Sequence, residues 1–169
     1  MNYKSILLGL FSFVFLTFIS CNSSDGTAEE WRKDNQAAYE LIKANSDWIL
    51  LDTDDGPFGV YYQDLTSPEA EIGDEYPIET ATVLVNYTGK YYNDNIFDSG
   101  KKTTFAVNQV VRGFGIALQH MRTGQKWNVC IPYYLGYGVT GLYSGYTLTI
   151  QGFTTLFFEI ELLQINQYP

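Results

Sequence analysis

The chain has 169 residues, with 10 Lys and Arg against 19 Asp and Glu, a single His, 2 Cys, and an aromatic set of 3 Trp, 14 Tyr and 11 Phe. A formal net charge of −9 repels a phosphate backbone, so nucleic acid is not an expected partner. The length suits one domain with its own core, and so many tyrosines predict an aromatic-lined pocket, because a buried tyrosine brings a hydroxyl that needs a partner.

The first segment, "MNYKSILLGLFSFVFLTFIS", carries Lys4 and then an apolar run to Ser20. It reads as a secretory signal over residues 1–20 and stands outside the fold. Cys21 follows a small residue at the end of that run, as in a bacterial lipobox. It is expected to be lipidated and to become the first mature residue, with an ordinary cleaved signal as the alternative. Loss of Lys4 takes the mature net charge to −10. Residues 21–28 read as a tether. With Cys21 modified, Cys130 has no disulfide partner, and its place in the alternating "KWNVCI" predicts a buried thiol.

From Glu29 to Asn45 apolar residues recur at Trp31, Ala38, Leu41 and Ile42 with no Gly or Pro between them, which predicts an amphipathic helix within an N-terminal extension, residues 29–56. "DTDDGPFG" is a turn. A calcium loop starting at Asp52 would need Gly sixth and Glu twelfth, where this chain has Pro57 and Gln63.

Residues 57–169 then form the expected main domain. "FGVYYQDL", "TATVLVNYTG", "TTFAV", "QKWNVCI" and "TLFFEIELLQI" are short, rich in β-branched and aromatic residues and bounded by turn residues, so each predicts a strand. Alternation puts Val83, Val85 and Tyr87 on one face, and Leu156, Phe158, Ile160 and Leu162 on another, with Glu159 and Glu161 turned to water. One helical pattern lies among them: Phe114, Ala117, Leu118 and Met121. The expected class is α+β, an antiparallel sheet carrying one short helix.

Much chemistry is excluded. His120 alone cannot build a usual zinc site and is expected on the exposed side of the helix; no G-x-S-x-G elbow exists for a triad. "RGFG" lacks the spacing of a dinucleotide loop, so its glycines are expected to let the chain turn into the helix. No metal and no cofactor is called for.

The remaining residues carry a resemblance. "VNYTGKYYNDNIFDSG", "NQVVRGFGIALQHMRTGQK", "IPYYLGYG" and "TLFFEIELL" resemble, in order and with similar spacing, the motifs of FKBP-type peptidyl-prolyl isomerases from about Val83 to Leu163. The resemblance implies a bent sheet, a half-barrel wrapped around the short helix, whose concave face takes the proline of an extended segment. By motif it assigns Tyr87, Asp98 and Tyr137 to the catalytic cleft. Phe97, Phe105, Val110, Val111, Phe114, Ile150 and Phe158 line it, with Phe114 as the floor where the family usually has Trp. It implies that the Val111 N–H and the Tyr137 hydroxyl hold substrate carbonyls, while Asp98 either polarises the cleft edge or ties down a loop. The loop "VTGLYSGYTLT" is longer than in the smallest members and is expected to cover the cleft in part. The implied function is isomerisation of Xaa-Pro bonds in exported proteins by a monomer anchored in a bacterial envelope. Two rivals stay open: a binding module or chaperone with little turnover, and a surface protein that captures a ligand through the tyrosines of "GLYSGY".

Overall fold

A computed structural model describes residues 25–53, 56 and 58–166, and gives side-chain surroundings from residue 27 onward. The expected signal peptide and Cys21 lie outside the described residues. Helix α1 spans Asp25–Ala44 and so begins within the expected tether. Glu29 and Glu30 lie near the positive end of the helix, which suits their charge.

Six strands form one antiparallel sheet: β1 (Ile49–Leu50), β2 (Tyr61–Asp64), β3 (Thr82–Lys90), β4 (Ile96–Ala106), β5 (Lys126–Ile131) and, last in the chain, β8 (Leu156–Asn166). Their order is β1-β2-β5-β8-β3-β4. Helix α2 (Arg112–Gln119) follows a 3-10 turn at Val107–Gln109 and sits in the curve of the sheet. The helical pattern and the strand alternation meet there: Phe114, Ala117, Leu118 and Met121 are buried against Val83, Val85, Val129, Ile131, Leu156, Ile160 and Leu162. Glu159 and Glu161 are on the opposite face, where Lys126 pairs with Glu159 at 2.9 Å and Asn86 donates to Glu161 at 2.7 Å.

The same face as Glu159 carries α1. Register places Tyr61, Cys130 and Phe157 side by side, and the Tyr39 ring of α1 meets Tyr61 edge-on at 6.0 Å. Cys130 is fully buried there, and burial pushes its thiol well above the ordinary range, which removes it as a nucleophile. The face of α1 that docks is centred on Asn35, not on the apolar set alone; Leu41 is 71% exposed.

Two elements differ from expectation. β4 starts seven residues before "TTFAV", because a bulge absorbs the irregularity between Val85 and Tyr87: Lys102 adopts φ 51° and its N–H donates to Asn86 Oδ1 at 2.9 Å. The segment read as a loop is a hairpin, β6 (Leu142–Ser144) and β7 (Thr147–Ile150), turning through Gly145 at φ 60°. Its neck is narrow: a Cβ on Gly141 or on Gly152 would collide with the backbone of the facing arm.

Candidate active site

β3, β4, α2 and β8 converge on one aromatic cluster. Phe114 is 4% exposed and touches three rings edge-on: Phe158 at 4.9 Å, Phe105 at 6.0 Å and Tyr87 at 6.3 Å. Phe105 meets Tyr87 at 5.3 Å and Phe97 meets Phe158 at 5.6 Å. Edge-to-face contacts at these distances add about 0.5–1.5 kcal/mol each to the burial itself, so the rings hold one another in place.

Local sequence explains the geometry. Gly89 pairs with Asp98 on one side and Phe158 on the other. A Cβ there would lie 2.6 Å from the Phe97 ring and 2.7 Å from Phe158, so the missing side chain is the space those rings fill. Gly89→Ala is therefore expected to cost about 1–3 kcal/mol through overpacking and to splay this wall. A denaturation midpoint equal to that of the parent chain would show that the wall is loose. The "RGFG" glycines also serve packing. Both lie inside α2 with ordinary helical backbone, Gly113 pressed on Ile131 and Gly115 under the Val107 carbonyl, where a Cβ would stand 2.9 Å from the oxygen. They do not make the expected turn into the helix.

The rim is polar. Tyr87 donates to Asp98 Oδ2 at 2.9 Å across a diagonal of β3 and β4, with Asp98 exposed. Burial is the main cause that pushes the Tyr87 hydroxyl up to about 12, followed by the hydrogen bond to Asp98 and its negative charge. Tyr137 is half-buried against the core and is also raised, by burial first and then by Asp98 and Tyr91. Val110 and Val111 are half-buried at the entry to α2, with Val110 in extended conformation and Val111 as the N-cap at φ −57° and ψ 143°. Ile150 is buried at the foot of the hairpin.

The site is an open dish, not an enclosed cavity. Hollows lie elsewhere: one of about 530 Å³ touches the site only through Val110, and one of about 690 Å³ is lined by residues that include Leu50, Tyr62, Trp127 and His120. The dish joins interlocked rings to a hydroxyl–carboxylate pair, Tyr87 on Asp98; a second such pair, Tyr92 on Asp34, stands beside Trp31 of α1 and lines no part of it. His120 is half-buried at the C-cap of α2, its Nδ1 at 2.8 Å from the Ile116 carbonyl, and not on the exposed side. Leu142, Tyr143 and Tyr146 are exposed and do not form the expected cover.

One rim residue was missed. Tyr91 packs on Phe97 at 5.1 Å, donates to the Thr149 carbonyl at 3.3 Å and takes the edge of Trp31 from α1 at 5.4 Å. The period-two run Tyr87, Gly89, Tyr91 was the signal for it.

Residues 73–163 match the FKBP-type peptidyl-prolyl cis-trans isomerase family. The chain belongs to that family. It is 33% identical over 170 aligned positions to the macrophage infectivity potentiator of Trypanosoma cruzi, covering 95% of this chain and 81% of that protein. It is 37% identical over 144 positions to an outer membrane protein MIP of Legionella longbeachae, covering 83% of this chain and 56% of that one. A crystal structure of a peptidyl-prolyl cis-trans isomerase from Pseudomonas syringae superposes with a TM-score of 0.69 at 30% identity, over 83% of this chain and 96% of its own. The α+β FKBP fold and the rotamase class of this chain follow from that membership.

Proposed function

We propose that the aromatic dish is where an Xaa-Pro bond rotates, with Phe97, Phe105, Val110, Val111, Phe114, Ile150 and Phe158 enclosing the proline and Tyr87, Asp98 and Tyr137 ordering the carbonyls around it. The observation that carries this reading is the interlocked set Tyr87, Phe105, Phe114 and Phe158 beneath the Tyr87–Asp98 pair.

The reaction needs no nucleophile. The barrier of about 18–20 kcal/mol comes from amide resonance, which is lost as the bond twists. The twisted amide has less charge separation than the planar one, so an apolar floor penalises it less than it penalises either planar isomer. Each 1.36 kcal/mol of that preference is worth about tenfold in rate. A protonated Tyr137 donates to a substrate carbonyl, and the Asp98 charge biases the edge of the dish.

Substrates are proline-containing segments of exported polypeptides. One relative bears the name outer membrane protein. Together with the signal-like segment and Cys21, that name supports an envelope location with a lipid anchor; the reading takes the chain as a monomer, its first 20 residues removed and residues 29–56 serving as an extension on a 57–169 domain. Exchange NMR or protease-coupled kinetics on Xaa-Pro peptides tests the activity. Catalysed exchange supports the assignment; binding without acceleration would make the dish a chaperone surface, a reading that the loss of an indole N–H at Phe114 favours.

The pH dependence has a definite sign. Tyr87 has its pKa raised, so the folded state holds that proton more tightly than the unfolded chain. The associated stability is fully present below about pH 10 and is lost as pH rises through about 12. Because Tyr87 and Tyr137 are both raised, their hydroxyls stay protonated through neutrality. Turnover attributable to them is expected to hold level from about pH 7 to 9 and to fall only above about pH 10. A loss of rate across about pH 8–9 that is absent in Tyr87→Phe would overturn the assignment of that hydroxyl.

A further inference from the structure

Only the foot of the β6–β7 hairpin, at Thr149 and Ile150, reaches the dish; its outward side chains do not belong to the core around it. Leu142, Tyr143 and Leu148 are exposed, Tyr146 at the turn is fully exposed, and Val139 before the neck is 61% exposed. Between Lys126 and Glu159 no residue carries a charge, in a chain whose net charge is −9. Isolated apolar side chains on a surface are ordinary; a projecting hairpin of Leu and Tyr within a long uncharged run is not.

The position of α1 indicates what covers it. Trp31 donates to Thr154 at 3.0 Å and Arg32 lies over the Phe153 ring at 5.6 Å, while Asn35 meets Thr155 and Tyr39 reaches Gly59. The helix therefore runs alongside residues 153–155, with its N-terminal turns at the foot of the hairpin. Tyr91 closes the link, holding Trp31 on one side and the Thr149 carbonyl on the other. Cys21 precedes the start of α1 by four residues, a span of at most about 14 Å when extended. An anchor at Cys21 brings the bilayer to the hairpin end of the molecule.

We propose that the hairpin tip, Leu142, Tyr143, Tyr146 and Leu148, seats in the interfacial layer of the membrane that holds the anchor. The inference rests on the anchoring proposed above. Tyrosine suits that layer, its ring apolar and its hydroxyl wet. Charge does not oppose the hairpin: an acidic protein is repelled by anionic headgroups, but the hairpin itself is uncharged, and of the acids on the nearby turns of α1, Glu29 is paired with Arg32 and Lys33. Seating the tip fixes the orientation of the chain, so that the dish, rimmed by Tyr91 and Ile150 at the foot of the hairpin, opens beside the membrane surface.

The test places an environment-sensitive fluorophore at the tip through Tyr146→Cys. A control probe goes at Glu69→Cys, an exposed loop site at the opposite end of the β5–β8 pair. Buried Cys130 leaves the introduced thiol as the labelling site. The lipidated chain is reconstituted in vesicles of phosphatidylethanolamine and phosphatidylglycerol, some carrying spin-labelled lipid. The expected result is a blue shift at residue 146 and quenching several-fold stronger than at residue 69, with peptide isomerisation unchanged in both variants. Equal quenching at the two positions overturns the proposal, including the case in which the tip probe responds instead to an added unfolded polypeptide. Mass measurement of the N-terminus tests the anchor separately. Should no lipid be found, the chain from Asn22, held by an N-terminal histidine tag on nickel-chelating lipid, must still give the tip signal, and its absence there overturns the proposal.

Discussion

Phe114→Ala is expected to lower stability by about 3–5 kcal/mol, the range for truncating a fully buried phenylalanine, and to lower turnover on Xaa-Pro peptides further than any loss of folded protein explains. The ring is 4% exposed and touches Tyr87, Phe105 and Phe158, so removing it opens a cavity and leaves three rings without their common neighbour. A loss that large approaches the whole stability of many domains, so Phe114→Leu supplies the second reading: a milder stability cost, but an aliphatic floor in place of the aromatic one. Phe114→Trp is expected to keep or raise turnover, since the dish is open on its substrate side and the larger ring restores floor area. Rates are compared well below each melting temperature. If the Leu and Trp variants remain folded and both show the parent rate on every peptide tried, Phe114 is a core residue and not the floor.

The same ring shows what was legible in the sequence. Phe114, Ala117, Leu118 and Met121 stand at helical spacing, and all four are buried as that spacing requires. Leu156, Phe158, Ile160 and Leu162 alternate and are buried too, because both faces of their strand are distinguished by a two-residue period that a packed sheet enforces. What periodicity cannot carry is contact between distant elements. The two-residue period puts Tyr91 on the face of Tyr87, but its contacts with Trp31 and Thr149, some sixty positions away on either side, follow from no local pattern. The hairpin was hidden because its arms are short and polar residues are mixed with large ones. The "RGFG" glycines signalled a special backbone, but the cause was the closeness of Ile131 and Val107, which is a tertiary fact. The docking face of α1 was hidden for a related reason: its most buried residue is polar.

That residue carries the second large effect. Asn35 is 0% exposed on α1 and makes three hydrogen bonds to its surroundings. Its Oδ1 accepts from the Thr155 N–H at 2.9 Å, its Nδ2 donates to the Trp31 carbonyl at 2.8 Å, and its own carbonyl accepts from the Thr155 hydroxyl at 3.1 Å. Burying an amide is favourable only while each partner is satisfied, and here the Thr155 N–H, at the edge of β8, has the Asn35 side chain as its acceptor. Asn35→Ala removes that acceptor and leaves a buried donor unpaired, which costs about 1–3 kcal/mol. Asn35→Leu leaves the same N–H orphaned and adds bulk that no longer matches the groove, so it is expected to be at least as destabilising. Asn35→Asp keeps an acceptor for Thr155 but puts a charge where none is paired, and it is expected to recover stability as pH falls and the carboxyl takes a proton. The amide of Thr155 reports the effect directly: its hydrogen exchange should quicken by about 5- to 150-fold in Asn35→Ala, the same 1–3 kcal/mol converted to a rate ratio. Asn35 does not line the dish, so peptide isomerisation measured where the variant is fully folded should stay close to that of the parent. Unchanged exchange at Thr155 would show that α1 is held by its aromatic contacts, Trp31 on Tyr91 and Tyr39 on Tyr61, and not by this buried amide.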